Sequence, residues 1–132
     1  MWELIISVFI VLHGLVHLFY FGQSRRFFEL QPGMVWPDGS WAFSKLLGNE
    51  ATRLLAGTSC VLATIGFVTG GIGLLMRQAW GSQVVVGSAA FSTVIFILFW
   101  DGELQKWADK GGIGILINMA ILIVVLRWPS SL

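Results

Sequence analysis

His13 and His17 stand four residues apart in the segment Leu12-His13-Gly14-Leu15-Val16-His17-Leu18, inside a stretch without formal charge. On a helix that spacing puts both imidazoles on one face, one turn apart. Imidazole ligates haem iron, copper or zinc, relays protons near neutral pH, or hydrogen-bonds a quinone. An i, i+4 pair can place two nitrogens on one metal, but a closed tetrahedral zinc site needs more donors. Cys60 and Tyr20 are the obvious further donors, and the motif lacks the glutamate of His-Glu-x-x-His. Two histidines on one helix cannot be opposite axial ligands of one haem, so haem binding would take one histidine per haem. The competing reading makes both rings neutral interhelical glue, bonded to Asn118, Thr64 or backbone carbonyls. The candidate cofactor set is therefore His13, His17, Tyr20, Asn118 and Thr64, and the candidate metal set His13, His17 and Cys60.

Four uncharged runs carry these residues. Glu3 to Arg25 encloses 21 residues, Arg53 to Arg77 and Arg77 to Asp101 enclose 23 each, and Lys110 to Arg127 encloses 16. A bilayer core of ~30 Å needs ~20 apolar residues in a helix, so the first three runs can span it. The fourth is short, and Lys110 and Arg127 extend it by snorkelling. Charged residues make up only 11 % of the chain, against ~25 % in a soluble domain. A soluble protein of this size has too little shell to hide four all-round apolar helices. The expectation is an all-α integral membrane four-helix bundle, one domain over residues 1–132, with helices at about 2–24, 52–76, 80–100 and 111–128. The first helix is read as retained, because it lacks a basic leader and a small-residue cleavage site. A net charge of +1 argues against a nucleic-acid partner. The single cysteine leaves redox compartment open.

Lysine and arginine set the orientation. Loops 1 and 3 hold Arg25, Arg26, Lys45, Arg53, Lys106 and Lys110, whereas the other side has Arg77 and Arg127. Six against two predicts cytoplasmic loops 1 and 3 and both termini outside (N-out, C-out), in the plasma membrane. Trp2, Trp80 and Trp128 at one level, and Trp36, Trp41, Trp100 and Trp107 at the other, read as interfacial belts.

At matched depth, His13, Asn118 and Thr64 form one expected polar layer, with His17 nearer Cys60, Thr93 and Gly114. Helix 2 carries the packing signal. Thr52, Ala56, Ser59, Ala63, Gly66, Gly70 and Gly73 alternate at spacings of 4 and 3, which makes one stripe of small side chains. Apolar lipid offers no hydrophobic drive to helix association, but close backbone approach does hold helices together. The seven-residue repeat favours a left-handed crossing. A second stripe of Gly57, Cys60, Thr64 and Gly71 suggests packing on two sides. Helix 3 offers Gly81, Ser88 and Ser92 as a matching groove. The stripes suit either intramolecular packing or a homo-oligomer.

Loop 1 contains turn chemistry at Gln31-Pro32-Gly33 and Trp36-Pro37-Asp38-Gly39-Ser40. Ser40 to Leu47 then reads as a short interfacial amphipathic helix stopped at Gly48-Asn49. It would serve as a connector, a lid or a docking surface. In loop 3, Asp101, Glu103 and Asp109 form either a small acidic site or a solvated surface, and Gly111-Gly112 breaks the chain before helix 4.

Three stretches carry a resemblance covering most of the length: His13-Gly-Leu-Val-His17-Leu18; Trp41-Ala-Phe-Ser44-Lys-Leu-Leu-Gly48 leading into Arg53; and Phe99-Trp-Asp101-Gly102 followed by Lys110-Gly-Gly-Ile-Gly114. In these the chain resembles small, uncharacterised four-helix prokaryotic membrane proteins, some labelled permease-like. That resemblance implies no reaction and no cofactor. The leading expectation is a non-enzymatic oligomeric or accessory component of a membrane or transport system, in contact with lipid and a homo-oligomeric or membrane-protein partner. The alternative is a redox or cofactor-binding protein that holds haem, metal or quinone at His13 and His17. An enzyme on lipid substrates is third, because the sequence points to no nucleophile–base pair in the bilayer.

Overall fold

The computed structural model describes residues 1–127. Four helices make up the fold: α1 (Trp2–Ser24), α2 (Ser44–Leu75), α3 (Ala79–Leu98) and α4 (Ile113–Leu126). A wide helical turn at Ala108–Gly112 leads into α4. No strand occurs among the described residues. With that turn counted into α4, all four helices are long and apolar enough to cross a membrane. The expected Trp128 end of helix 4 lies outside the described residues.

Neighbours in sequence are neighbours in space: α1 packs on α2, α2 on α3, and α3 on α4. The two small-residue stripes of α2 explain this order. A methyl group added at Gly66 would meet Ser88, one at Gly70 would meet the backbone nitrogen of Val85 at 2.9 Å, and one at Gly73 would meet Gly81. That stripe therefore faces α3. On the second stripe, Gly57 lies against Phe21 and Ser24, and Gly71 against Val11 and the Ser7 carbonyl. That stripe faces α1. Both stripes are filled within one chain, so neither is left for a homo-oligomer. Leu54, Leu62, Ile65 and Ile72 of α2, and Met76 just after it, are exposed.

The helix ends show how the loops are anchored. After α1, the Phe27 N–H bonds the Gly22 carbonyl at 2.9 Å and the Arg26 N–H bonds Gln23 at 3.1 Å. Arg26 takes φ 62 to allow it. This is a Schellman stop with arginine where glycine is usual. The end of α2 repeats it, with Arg77 at φ 58 and the Gln78 N–H on the Gly73 carbonyl at 2.8 Å.

Two expectations for loop 1 need correction. The interfacial helix expected over Ser40–Leu47 is helical only from Ser44, and it continues as α2 through a break at Gly48 (φ 81, ψ 163). Its first residues are committed elsewhere, to carbonyls at and just beyond the end of α3. The Ser40 hydroxyl donates to Leu98 O at 2.6 Å, the Trp41 amide to Trp100 O at 2.9 Å, and the Trp41 indole to Ile97 O at 2.7 Å. Trp36, expected in the interfacial belt, is a core residue instead. It is 5 % exposed and packs on Tyr20, Phe96 and Phe99. The loop is drawn inward by Gln23, whose amide donates to Met34 O and Trp36 O and accepts from the Leu30 N–H. Trp2, Trp41 and Trp80 remain exposed.

Candidate functional site

α1 places His13 and His17 on its inner face, where α2, α3 and α4 each contribute a neighbour. Phe67 of α2 lies against both rings, with centroids 5.0 Å from His13 and 5.3 Å from His17. Gly14 admits this approach, since a methyl there would sit 2.5 Å from Phe67 Cβ. Both histidines are buried, and Ser92 of α3 and Asn118 of α4 are fully so.

Hydrogen-bond logic fixes the protons. His17 Nδ1 faces two acceptors, the carbonyls of His13 (3.1 Å) and Gly14 (3.2 Å), so it carries a hydrogen. A second proton on that ring would bury an uncompensated charge in the apolar interior of the bundle. His17 Nε2 therefore accepts, and Ser92 Oγ donates to it at 2.7 Å. Having given its only hydrogen, Ser92 Oγ accepts from Asn118 Nδ2 at 2.9 Å. Asn118 Oδ1 then faces His13 Nε2, which donates at 2.8 Å. The direction of the whole relay follows from two backbone carbonyls. Both rings are neutral, as opposite tautomers, and one continuous chain of bonds joins α1, α3 and α4.

The remaining sequence candidates lie around this relay rather than in it. The Thr64 hydroxyl lies near the Gly14 carbonyl at 2.9 Å and the Cys60 carbonyl at 3.0 Å, tying α2 to α1 beside the pair. Tyr20 donates to the Asp109 carbonyl at 2.9 Å and joins the helices to loop 3. Cys60 is fully buried in the cluster of Trp36, Ala56, Ala63, Phe96 and Phe99. Among the described residues, no three His, Cys, Asp or Glu side chains gather into a metal-binding group.

Ser92 is the member that the sequence reading missed. The sequence suggests a helix-groove role for it and sets its neighbour Thr93 near His17 instead. The Thr93 hydroxyl bonds back to the Ala89 carbonyl at 2.8 Å. Ser92 and His17 have the spacing of a nucleophile and its base, an arrangement not expected from the sequence. The serine oxygen is sealed, however, with no exposed surface, and Asn118 already donates to it.

An open cleft lies between the two longer loops. Loop 1 (residues 31–38) and loop 3 (residues 101–110) enclose a cleft of about 220 Å³, lined by Trp36, Asp38, Asp101, Glu103, Lys106 and Asp109 among others. The Trp36 indole N–H is buried and has no partner among the described residues. Asp101 is paired with Lys110 at 2.9 Å and caps the Glu103 N–H at 2.9 Å, which favours the solvated-surface reading of this acidic group. Asp38 bridges Arg26 at 2.9 Å and Arg53 at 2.6 Å. Burial pushes the Asp38 carboxyl up, but its bonds to the two guanidiniums outweigh that and hold it below the usual aspartate range.

Comparison with protein families, curated proteins and solved structures found no match. The resemblance to small prokaryotic four-helix proteins thus rests on its three sequence stretches alone.

Proposed function

We propose that this chain is a non-enzymatic multipass membrane protein, an accessory component of a membrane or transport system, that engages its partner or solute through the head formed by loops 1 and 3. The observation that carries this is a division of labour. His13, His17, Ser92 and Asn118 are tied into one closed relay, whereas open space lined by Asp38, Asp101, Glu103, Lys106 and Asp109 lies between the loops. Six of the eight lysines and arginines lie at that end, which supports a cytoplasmic head and external termini. The closed relay supports the glue reading of His13 and His17 over a haem, metal or quinone site. A ligand at either ring would have to replace bonds already made. Filling of both small-residue stripes removes the reason to assign them to self-association.

The test is photo-crosslinking in native membranes from a reactive residue at Gln105, in the cleft lining, against one at Ile65, on the exposed face of α2. The expected result is a discrete protein or solute adduct at Gln105 that is absent at Ile65. Adducts only at Ile65 would reject the head as the working surface. Absorption and metal analysis of the purified protein tests the second reading, which requires a Soret band or a stoichiometric metal that is lost in His17→Ala.

A further inference from the structure

A second concave feature lies at the same end of the molecule, on the outside of the α1–α2 pair. Ser24, Arg25, Arg26, Glu50, Arg53 and Leu54 line a cleft of about 210 Å³. Three arginines share it. Two are held in place: Arg26 donates to the carbonyls of Gln23, Val35 and Trp36, and Arg26 and Arg53 both clasp Asp38. The third, Arg25, has a guanidinium with no hydrogen bond or ion pair among the described residues. Its stem lies across α2, with Cδ 3.6 Å from where a Gly57 Cβ would be. Gly57 and Arg53 are one turn apart on α2, and Arg25 and Arg53 line the same cleft.

The charges do not cancel. Asp38 and Glu50 oppose three guanidiniums, which leaves one positive charge in surplus. The depth is also informative. The cleft sits where the first two apolar runs end, the level of lipid headgroups, and exposed Leu54 begins the apolar surface below it. Guanidinium presents fixed N–H donors that match phosphate oxygens. We propose that this cleft seats the phosphate of an anionic phospholipid, with Arg25 as its free donor, and so fixes the α1–α2 edge of the bundle in its leaflet. Glu50 opposes the ligand and sets a limit on affinity.

The experiment is native mass spectrometry of the full chain in detergent, offered phosphatidylglycerol or phosphatidylcholine of matched acyl chains. Phosphatidylglycerol adducts are expected to dominate. Arg25→Gln should weaken them about fivefold, the effect of one cation near an anionic lipid surface. Arg25 lies outside the Asp38 clasp, so this variant should keep its helical circular dichroism. Glu50→Gln should strengthen retention by a similar factor, and this gain cannot come from misfolding. Lys45→Gln, an exposed cation near the start of α2 and outside the cleft, should leave retention unchanged. Equal retention of the two lipids, or equal loss in Lys45→Gln and Arg25→Gln, overturns the proposal. Displacement of the lipid by millimolar inorganic phosphate overturns it too, in favour of a free phosphate ligand.

Discussion

Asn118 is the point at which the relay can be tested most severely. Asn118→Leu removes two buried bonds, one from His13 Nε2 and one to Ser92 Oγ. Ser92 keeps His17 as its acceptor, so its hydroxyl stays satisfied. His13 Nε2–H is left with nothing, in a ring only 6 % exposed. An interhelical hydrogen bond in a membrane protein contributes ~0.6 kcal/mol on average, and a stranded buried donor costs ~1–3 kcal/mol. With two bonds lost and one donor stranded, the single variant should therefore lose ~2–4 kcal/mol. His13→Phe should also destabilise, because it strands the Asn118 carbonyl. The double variant His13→Phe with Asn118→Leu removes both partners together and should be less destabilised than the sum of the singles, with a coupling of ~1–2 kcal/mol. The assay is reversible unfolding of the purified protein from mild detergent into dodecyl sulfate, followed by far-UV circular dichroism. A coupling indistinguishable from zero would refute the relay as drawn, and so would an Asn118→Leu protein as stable as the parent.

Four further outcomes follow from the same geometry. Gly70→Leu drives a side chain into the backbone of Val85 and should cost at least ~1–3 kcal/mol with no change in oligomer mass, as read by unfolding and light scattering. Loss of a defined oligomer with unchanged stability would return that stripe to an intermolecular role. Arg77→Gly relieves a left-handed φ of 58 at the end of α2 and should stabilise by ~1 kcal/mol in the same unfolding assay. Asp38 has a lowered folded pKa, so its contribution to loop 1 should be full above about pH 4, where the unfolded carboxyl is ionised, and vanish as pH falls through the lower folded value. Tryptophan fluorescence should show that acid transition in the parent and not in Asp38→Asn. Finally, a fluorophosphonate probe should leave Ser92 unlabelled in the folded protein, and labelling abolished by Ser92→Ala would establish a working serine–histidine pair.

The sequence made the number of helices legible because charge is so costly in hydrocarbon that its placement marks the spans. It made the packing of α2 legible for a related reason. Small residues at alternating spacings of 4 and 3 have few uses in lipid other than close approach, and two such stripes require two neighbours. It could not say that α1 and α3 are those neighbours, because Gly66 beside Ser88 and Gly66 beside another chain look alike in one dimension. The relay was half legible. His13, His17 and Asn118 stand out as polar groups in apolar runs, but Ser92 and Thr93 are adjacent hydroxyl residues on different faces of α3. Only the rotation of that helix decides that Ser92 meets His17 while Thr93 turns back on Ala89. Loop 1 was least legible, since its conformation answers to distant demands. Trp36 looks like a belt residue until Gln23 and Arg26 are seen to hold its carbonyl, and Ser40-Trp41 looks like a helix start until the open carbonyls of α3 claim its donors. Local propensity lost there to unpaired backbone groups in another element, a competition that no window along the chain contains.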